Sequence, residues 1–299
     1  MYGGEDDLHG LGMLLRGAYA RERDWNAWSA VRFDVWSFHR LADACLRDDT
    51  SWQGRIALWE ADGEIVAAAL LDAEAPGDGV VMAVPSAAVE HEQLAWLEEH
   101  YDATARGEPL LVEAAAGNTR LRGALTARGY APIDGHWIVR ERPLEAAAAH
   151  DAVCVASPYR VKHIETRGEL RAYHVAVESV FGRGGPDTIA EYEFRARTPS
   201  YVPELCLVAI DRSGDVGAFA TAWLDQTNHV AELEPVGTAP AHRRHGLAAA
   251  VVAEACNRLR TYGCQLATVY AWSGSETANA FYDAAGFAAS RVVLNWRRG

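Results

Sequence analysis

Residues 232 to 248 gather the side chains of this 299-residue chain that are best placed to do chemistry: Glu-Leu-Glu-Pro-Val-Gly-Thr-Ala-Pro-Ala-His-Arg-Arg-His-Gly-Leu-Ala. Two carboxylates, Glu232 and Glu234, lie two apart in a run that reads as a strand, which puts both on one face. Proline and glycine then break the strand. A loop holding Arg243, Arg244, His245 and Gly246 runs into Leu247 and Ala248, the start of a helix whose apolar residues Leu247, Val251, Ala255 and Leu259 recur every four positions. The first turn of a helix carries unpaired N–H groups at the positive end of its dipole, so backbone alone can hold an anion there. Gly246 leaves room where a Cβ would block a ligand, Ala248 keeps the first turn small, and Arg243 and Arg244 add charge. The implied chemistry is a pyrophosphate cradle beside a strand that carries carboxylates.

Other phosphate and metal motifs are missing. There is no G-x-x-x-x-G-K-[ST] and no G-x-G-x-x-G after a strand, and His91-Glu92 does not become a zinc H-E-x-x-H because Ala95 stands where the second histidine is needed. Five cysteines form no C-x-x-C pair and read as reduced thiols in a cytoplasmic protein. With 28 Lys and Arg against 41 Asp and Glu, the net charge of −13 repels nucleic acid and anionic membranes and favours cationic partners. At 49% hydrophobic and 23% charged residues the composition is globular, no apolar run approaches the ~20 residues of a membrane span, and Glu5, Asp6 and Asp7 occupy the place of a signal peptide's positive charge.

The elements that must position the cradle come twice, with an offset of about 155 residues. Ile56–Trp59, the turn Asp62-Gly63 and Ile65–Leu71 form one hairpin, and Leu207–Ile210, Ser213-Gly214 and Val216–Leu224 form its counterpart. Val80–Val84, stopped by Pro85, precedes a helix over Gln93–Tyr101, just as Ala231–Ala239, stopped by Pro240, precedes a helix over Leu247–Tyr262. Leu110–Ala115 matches Ala267–Trp272, Gly129-Tyr130 matches Gly286-Phe287, and each half ends on an aromatic-and-arginine strand, Trp137–Arg140 or Leu294–Arg297. The second half adds a strand at Tyr159–Ile164 and a capping-box helix from Thr166 to about Phe181, broken by 182–186. The first half opens instead on helical stretches holding Trp25, Trp28, Phe33, Trp36 and Phe38. These signals predict an α/β protein of two tandem domains, 1–150 and 151–299, each a mixed, mostly antiparallel sheet flanked by helices, with a linker at 145–150.

Arg243-x-x-Gly246-x-Ala248 resembles the [Q/R]-x-x-G-x-[G/A] motif of the GNAT superfamily of N-acetyltransferases, and Tyr282-x-x-x-Gly286-Phe287 resembles its second signature. The resemblance covers about Tyr159–Arg298 strongly and the first half weakly; the tandem arrangement is similar to that of mycothiol synthase. It implies acetyl-CoA as co-substrate, with the pantetheine arm on the backbone of Val236, Gly237 and Thr238 and the pyrophosphate on Arg243, Arg244, His245, Gly246, Leu247 and Ala248. Glu232, eleven residues before Arg243, stands at the family's spacing for a general base. Glu234 is the alternative base or a partner for the substrate ammonium. Tyr282 resembles the general acid, and Asn279 either bonds the pantetheine or caps its turn. Cys256 and Cys264 are poorly placed as acyl carriers, which favours direct attack in a ternary complex.

With Pro85 set on Pro240, the repeat places Ala88, Val89, His91 and Gln93 opposite Arg243, Arg244, Gly246 and Ala248; with Gly129 set on Gly286, Leu125 falls opposite Tyr282. The first domain is expected to be a degenerate copy without a cradle. The acceptor is expected to be a primary amine of a small, cationic molecule such as an antibiotic, an amino sugar, a polyamine or a basic peptide. Candidate walls for it are Phe181 and the residues up to 187, Glu191, Glu193, Trp223 and Asp225, with Trp25, Trp28 and Trp36 from the first half. The alternatives are an acyl-CoA-binding sensor or scaffold without transfer, and an acyltransferase that uses another acyl group or a hydroxyl acceptor.

Overall fold

The turn residues Asp62 and Gly63 both adopt left-handed backbone, at φ 54° and 81°, which joins β1 (Ile56–Ala61) and β2 (Glu64–Leu71) into a tight antiparallel hairpin. The computed structural model to which this hairpin belongs describes residues 2–101, 109–145, 151–182 and 188–298. Most of the proposed linker, 146–150, and residues 183–186 of the helix break lie outside them, while Gly182 caps the preceding helix in left-handed backbone, at φ 64°.

The contacts divide the chain into two units. The first comprises Met1–Val139, Tyr270–Asn279 and Ala289–Gly299; the second comprises Arg140–Val269 and Ala280–Ala288. A single boundary near residue 150 therefore does not describe how the contacts fall.

In the first unit, α1 (Glu5–Arg21) and α2 (Ala30–Arg47) precede the hairpin, and the Ser29 side chain caps α2 by accepting from Arg32 N at 3.0 Å. There follow β3 (Asp78–Ala83), α3 (Glu90–His100), β4 (Leu111–Ala115), α4 (Thr119–Ala127) and β5 (Tyr130–Pro143), the last passing into the second unit at Arg140. β3 and β4 run parallel with α3 as their crossover. The strand order is β1-β2-β3-β4-β11-β5, where β11 (Ala288–Arg298) is the C-terminal strand, antiparallel to β4 from Val293 opposite Ala115 to Arg297 opposite Leu111. The aromatic-and-arginine strand that ends the second repeat thus completes the first unit's sheet, with Trp296 packed among Leu94, Leu97 and Val112. Trp28 and Trp36 fill the core of this unit with Leu11, Phe33 and Met82, and Trp25 is buried as well. These three indoles are interior packing.

The second unit orders its strands β10-β9-β8-β7-β6: β6 (Arg160–His163), β7 (Tyr201–Ile210), β8 (Val216–Asp225), β9 (Val230–Thr238) and the start of β10 (Leu266–Trp272). All of these pairs are antiparallel except β9 with β10, which α7 (Leu247–Thr261) connects as a parallel crossover. α5 (Arg167–Phe181) opens with the expected capping box: Thr166 accepts from Glu169 N and the Glu169 carboxylate accepts from Thr166 N. α6 (Thr188–Phe194) follows, and α8 (Glu276–Ala284) enters the second unit at Ala280. Tyr173, Val177, Val208 and Phe219 form the core between α5 and the sheet. Among the described residues no helix is long and apolar enough to cross a membrane, and no group of three His, Cys, Asp or Glu is arranged to hold a metal.

Candidate functional site

β9 is irregular where the sequence places chemistry. Its register on β8 pairs Leu233 with Ala222 and then Val236 with Ala220, so Glu234 and Pro235 together face the single residue Thr221. That is a β-bulge, and proline, lacking an N–H, suits a position out of the ladder. On the opposite side, the parallel register with β10 covers only Val230–Glu232. From Val236 to Thr238 the backbone stays paired with β8 but has no β10 partner in that register, which leaves an edge able to take another extended chain. Gly237 is required by its neighbour: a Cβ there would run into the Phe219 ring, which lies opposite it.

The cradle loop follows a short turn at Pro240–His242. Arg244 and Gly246 both adopt left-handed backbone, at φ 69° and 73°, and Gly246 is the N-cap of α7. An added Cβ at Gly246 would meet nothing within 4 Å, so the space over the helix N-terminus is open and the backbone angle is what favours glycine. Arg243, Arg244, His245 and Gly246 are exposed, Ala248 is half-buried and Leu247 is buried as the anchor of the helix. Arg243 Nε donates to Thr238 O at 3.4 Å, tying the loop to the end of β9. Tyr159 Oη lies 2.8 Å from His242 Nδ1, and His245 Nδ1 lies 3.2 Å from His242 O, so this aromatic and imidazole group braces the turn, a feature that spacing alone did not reveal. Alternating left-handed residues ahead of a fifteen-residue helix present successive N–H groups outward, which fits a pyrophosphate.

The two carboxylates of β9 differ in setting. Glu232 is 2% exposed and stands between Trp223 and Thr268 in the paired strands, whereas Glu234 is exposed at the bulge. The buried Trp223 donates its Nε1 to Glu234 O at 2.6 Å and so pins the bulge. Tyr282 is 8% exposed, with its ring centroid 5.9 Å from that of Phe287. Burial first, and then the Glu234 carboxylate, hold its phenol well above the ordinary range, so it stays protonated at neutral pH. Burial pushes the thiols of Cys256 and Cys264 up to about 11, so neither is an activated nucleophile.

The other expected residues take different places. Asn279 lies in the first unit and donates its Nδ2 to Trp272 O and Ser275 O, at 2.9 and 2.8 Å, which is the turn-capping arrangement. Asp225 is buried and its carboxylate accepts from Thr227 N and from Asn228 N and Nδ2, which commits it to the β8–β9 turn. Phe181 is 47% exposed at the end of α5, and Glu193 pairs with Arg167 on the surface. Residues 183–187 and the side chain of Glu191 lie outside the described residues. At the corresponding helix of the first unit, Glu90 sits in the opening turn and pairs with Arg120, which also donates to Pro85 O at 2.9 Å, while Gln93 Nε2 donates to Ala68 O and Met82 O. An ion pair, Glu90 with Arg120, thus lies at the start of that helix, where the second unit has Gly246 and its arginines.

Three comparisons bear on this arrangement. Residues 171–287 match the family described as acetyltransferase (GNAT). No curated protein matches the chain. Among solved structures, a GCN5-related N-acetyltransferase from Sphaerobacter thermophilus is similar at 20% identity and a TM-score of 0.63, covering 100% of this chain and 94% of the other. A tandem GNAT protein from the clavulanic acid biosynthesis pathway is similar at 13% identity and a TM-score of 0.63, covering 99% and 95%. A GNAT-family acetyltransferase from Colwellia psychrerythraea is similar at 12% identity and a TM-score of 0.63, covering 98% and 97%. The bulged β9, the left-handed turn and the crossover helix all lie inside residues 171–287, the segment that matches the acetyltransferase (GNAT) family.

Proposed function

We propose that the second unit transfers an acetyl group from acetyl-CoA to a primary amine of a small, cationic molecule, by direct attack within a ternary complex. The observation that carries this reading is the open helix N-terminus at Gly246, entered through two left-handed residues. Acetyl-CoA supplies the activated acyl group. Val236, Gly237 and Thr238 offer free backbone to the pantetheine arm, and Arg243 to Ala248 offer N–H groups and charge to the pyrophosphate. Glu232 takes a proton from the acceptor ammonium, so that the nitrogen lone pair can form the new N–C bond as the C–S bond breaks. Tyr282 gives its proton to the departing sulfur, a role supported by a phenol that stays protonated at neutral pH. Glu234, exposed beside this site, holds the cationic acceptor and is the alternative base. The high thiols of Cys256 and Cys264 support transfer without an acyl-enzyme. The first unit acts as a degenerate copy that binds no coenzyme A, a reading supported by the Glu90–Arg120 pair at its helix start. Five free cysteines support a cytoplasmic location.

The test is release of free thiol from acetyl-CoA over a panel of cationic antibiotics, polyamines, amino sugars and basic peptides. Turnover with one of these amines supports the reading. Binding of acetyl-CoA without thiol release on any amine would favour a sensor, and release only with other acyl groups or hydroxyl acceptors would move the substrate class.

A further inference from the structure

Arg140 closes the aromatic-and-arginine run Trp137–Arg140 that the repeat brought to notice, and it is the residue with which the chain enters the second unit. It is 5% exposed, which is costly for a guanidinium unless its donors are used. Its Nη1 donates to Asp283 Oδ1 at 2.5 Å and to Phe287 O at 3.0 Å, and its Nη2 lies 3.5 Å from Asp283 Oδ2. Asp283 follows Tyr282 directly in α8, and Phe287 is the residue whose N–H returns to Tyr282 O at 2.9 Å. Between them the chain reverses through Gly286, at φ 82°, with Gly286 N donating to Asp283 O. Arg140 therefore grips both ends of the turn on which Tyr282 stands, with its cation at the C-terminal end of a helix, where the dipole favours it.

The hydroxyl of a tyrosine lies far from its backbone, so a small rotation of the supporting turn becomes a displacement of the oxygen that matters to proton transfer. The Phe287 ring holds one side of the phenol, and α8 is only nine residues long, too short to fix its own last turn. We propose that Arg140 is a positioning residue for Tyr282: its bidentate hold on Asp283 and its bond to Phe287 O fix the turn so that the phenol is aimed for transfer. This rests on the reading of Tyr282 as the acid.

The experiment is a kinetic cycle with acetyl-CoA and an amine acceptor on Arg140→Met, Tyr282→Phe and the double variant, with Asp283→Asn and Arg140→Lys alongside. Arg140→Met should lower kcat roughly 10- to 100-fold with less than about a threefold change in KM for acetyl-CoA, and should cost nothing further once Tyr282 is phenylalanine. Arg140→Lys should restore part of the loss, since it keeps the charge but not the fork. Asp283 has an exposed side chain, so Asp283→Asn gives a folded variant with the same, weaker kcat defect if Arg140→Met does not fold. If the losses multiply in the double variant, or if Asp283→Asn keeps wild-type kcat, Arg140 does not act through Tyr282 and the inference falls while the acid reading stands. If Tyr282→Phe turns over at the wild-type rate, both fall.

Discussion

Glu232 and Glu234 are two residues apart, yet one is buried between Trp223 and Thr268 and the other is exposed where the bulge leaves the ladder. That difference separates their expected phenotypes. Glu232→Gln keeps the shape and removes the basicity, so kcat should fall about 10²–10⁴-fold near neutral pH, and the deficit should shrink as pH approaches the acceptor's own pKa, where the amine is already neutral. Glu234→Gln should instead raise KM for a cationic acceptor and leave the pH profile unchanged. Steady-state rates from pH 6 to 10 separate the two, and exchanged phenotypes would hand the base role to Glu234. Tyr282→Phe should lower kcat roughly 100-fold or more at unchanged acetyl-CoA affinity. Because burial and Glu234 hold the phenol above its usual range, the wild-type rate should show no alkaline fall through pH 9.5 from loss of this proton. A limb in that range that Tyr282→Phe abolishes would contradict the burial.

At the scale of elements, the site proposed on the β9–turn–α7 unit relies on backbone, and its sensitive position is the one that sets backbone angle. Gly246→Ala meets no atom but must hold φ near 73°, at a cost of about 1–2 kcal/mol of stability with modest loss of coenzyme A binding. Gly246→Glu adds a carboxylate against the pyrophosphate and should weaken binding by about 2–4 kcal/mol, or roughly 30- to 1,000-fold in Kd. Calorimetry with coenzyme A should give one site per chain in the wild type and none at the same concentrations in Gly246→Glu. Two equivalent sites would mean that the first unit binds the ligand too, at α3 beside the Glu90–Arg120 pair.

For the molecule as a whole, Asp78 of the first unit gives stability one component that depends on pH. Asp78, at the start of β3, is pushed up to about 6 chiefly by burial, with Glu113 and Glu74 adding to the rise and the bond from Ala75 N opposing it. The folded state thus holds this proton more tightly than the unfolded chain, so Asp78 favours folding below about pH 4 and the benefit is lost as pH rises through about 6. Asp78→Asn should leave the thermal midpoint nearly unchanged at pH 4 and raise it at pH 7.5, as read by calorimetric scans. A midpoint that drops equally at both pH values would show that Asp78 matters for the bond to Ala75 and not for its charge.

The strand, turn and helix that carry the proposed cradle were legible in the sequence because they are local. A glycine at a helix start, arginines before it, a strand stopped by proline and the spacing of Tyr282 to Gly286-Phe287 are all written within about 60 residues, and backbone propensity and helix periodicity act over that range. The repeat was legible for the same reason, since each hairpin and crossover is a short-range unit. Tertiary structure decided what depends on partners distant in the chain. Only pairing shows that β11 completes the first unit's sheet beside β4, because an apolar strand ending in Trp296 and Arg297 fits either sheet by pattern alone. Only packing shows that Gly237 answers to Phe219, that Asp225 is taken up by its own turn, that Trp25, Trp28 and Trp36 are interior, and that Arg140 reaches Asp283 across 143 residues of sequence. Sequence spacing encodes what a residue can do within its own element, and the contacts that select among those uses form only when the sheet closes.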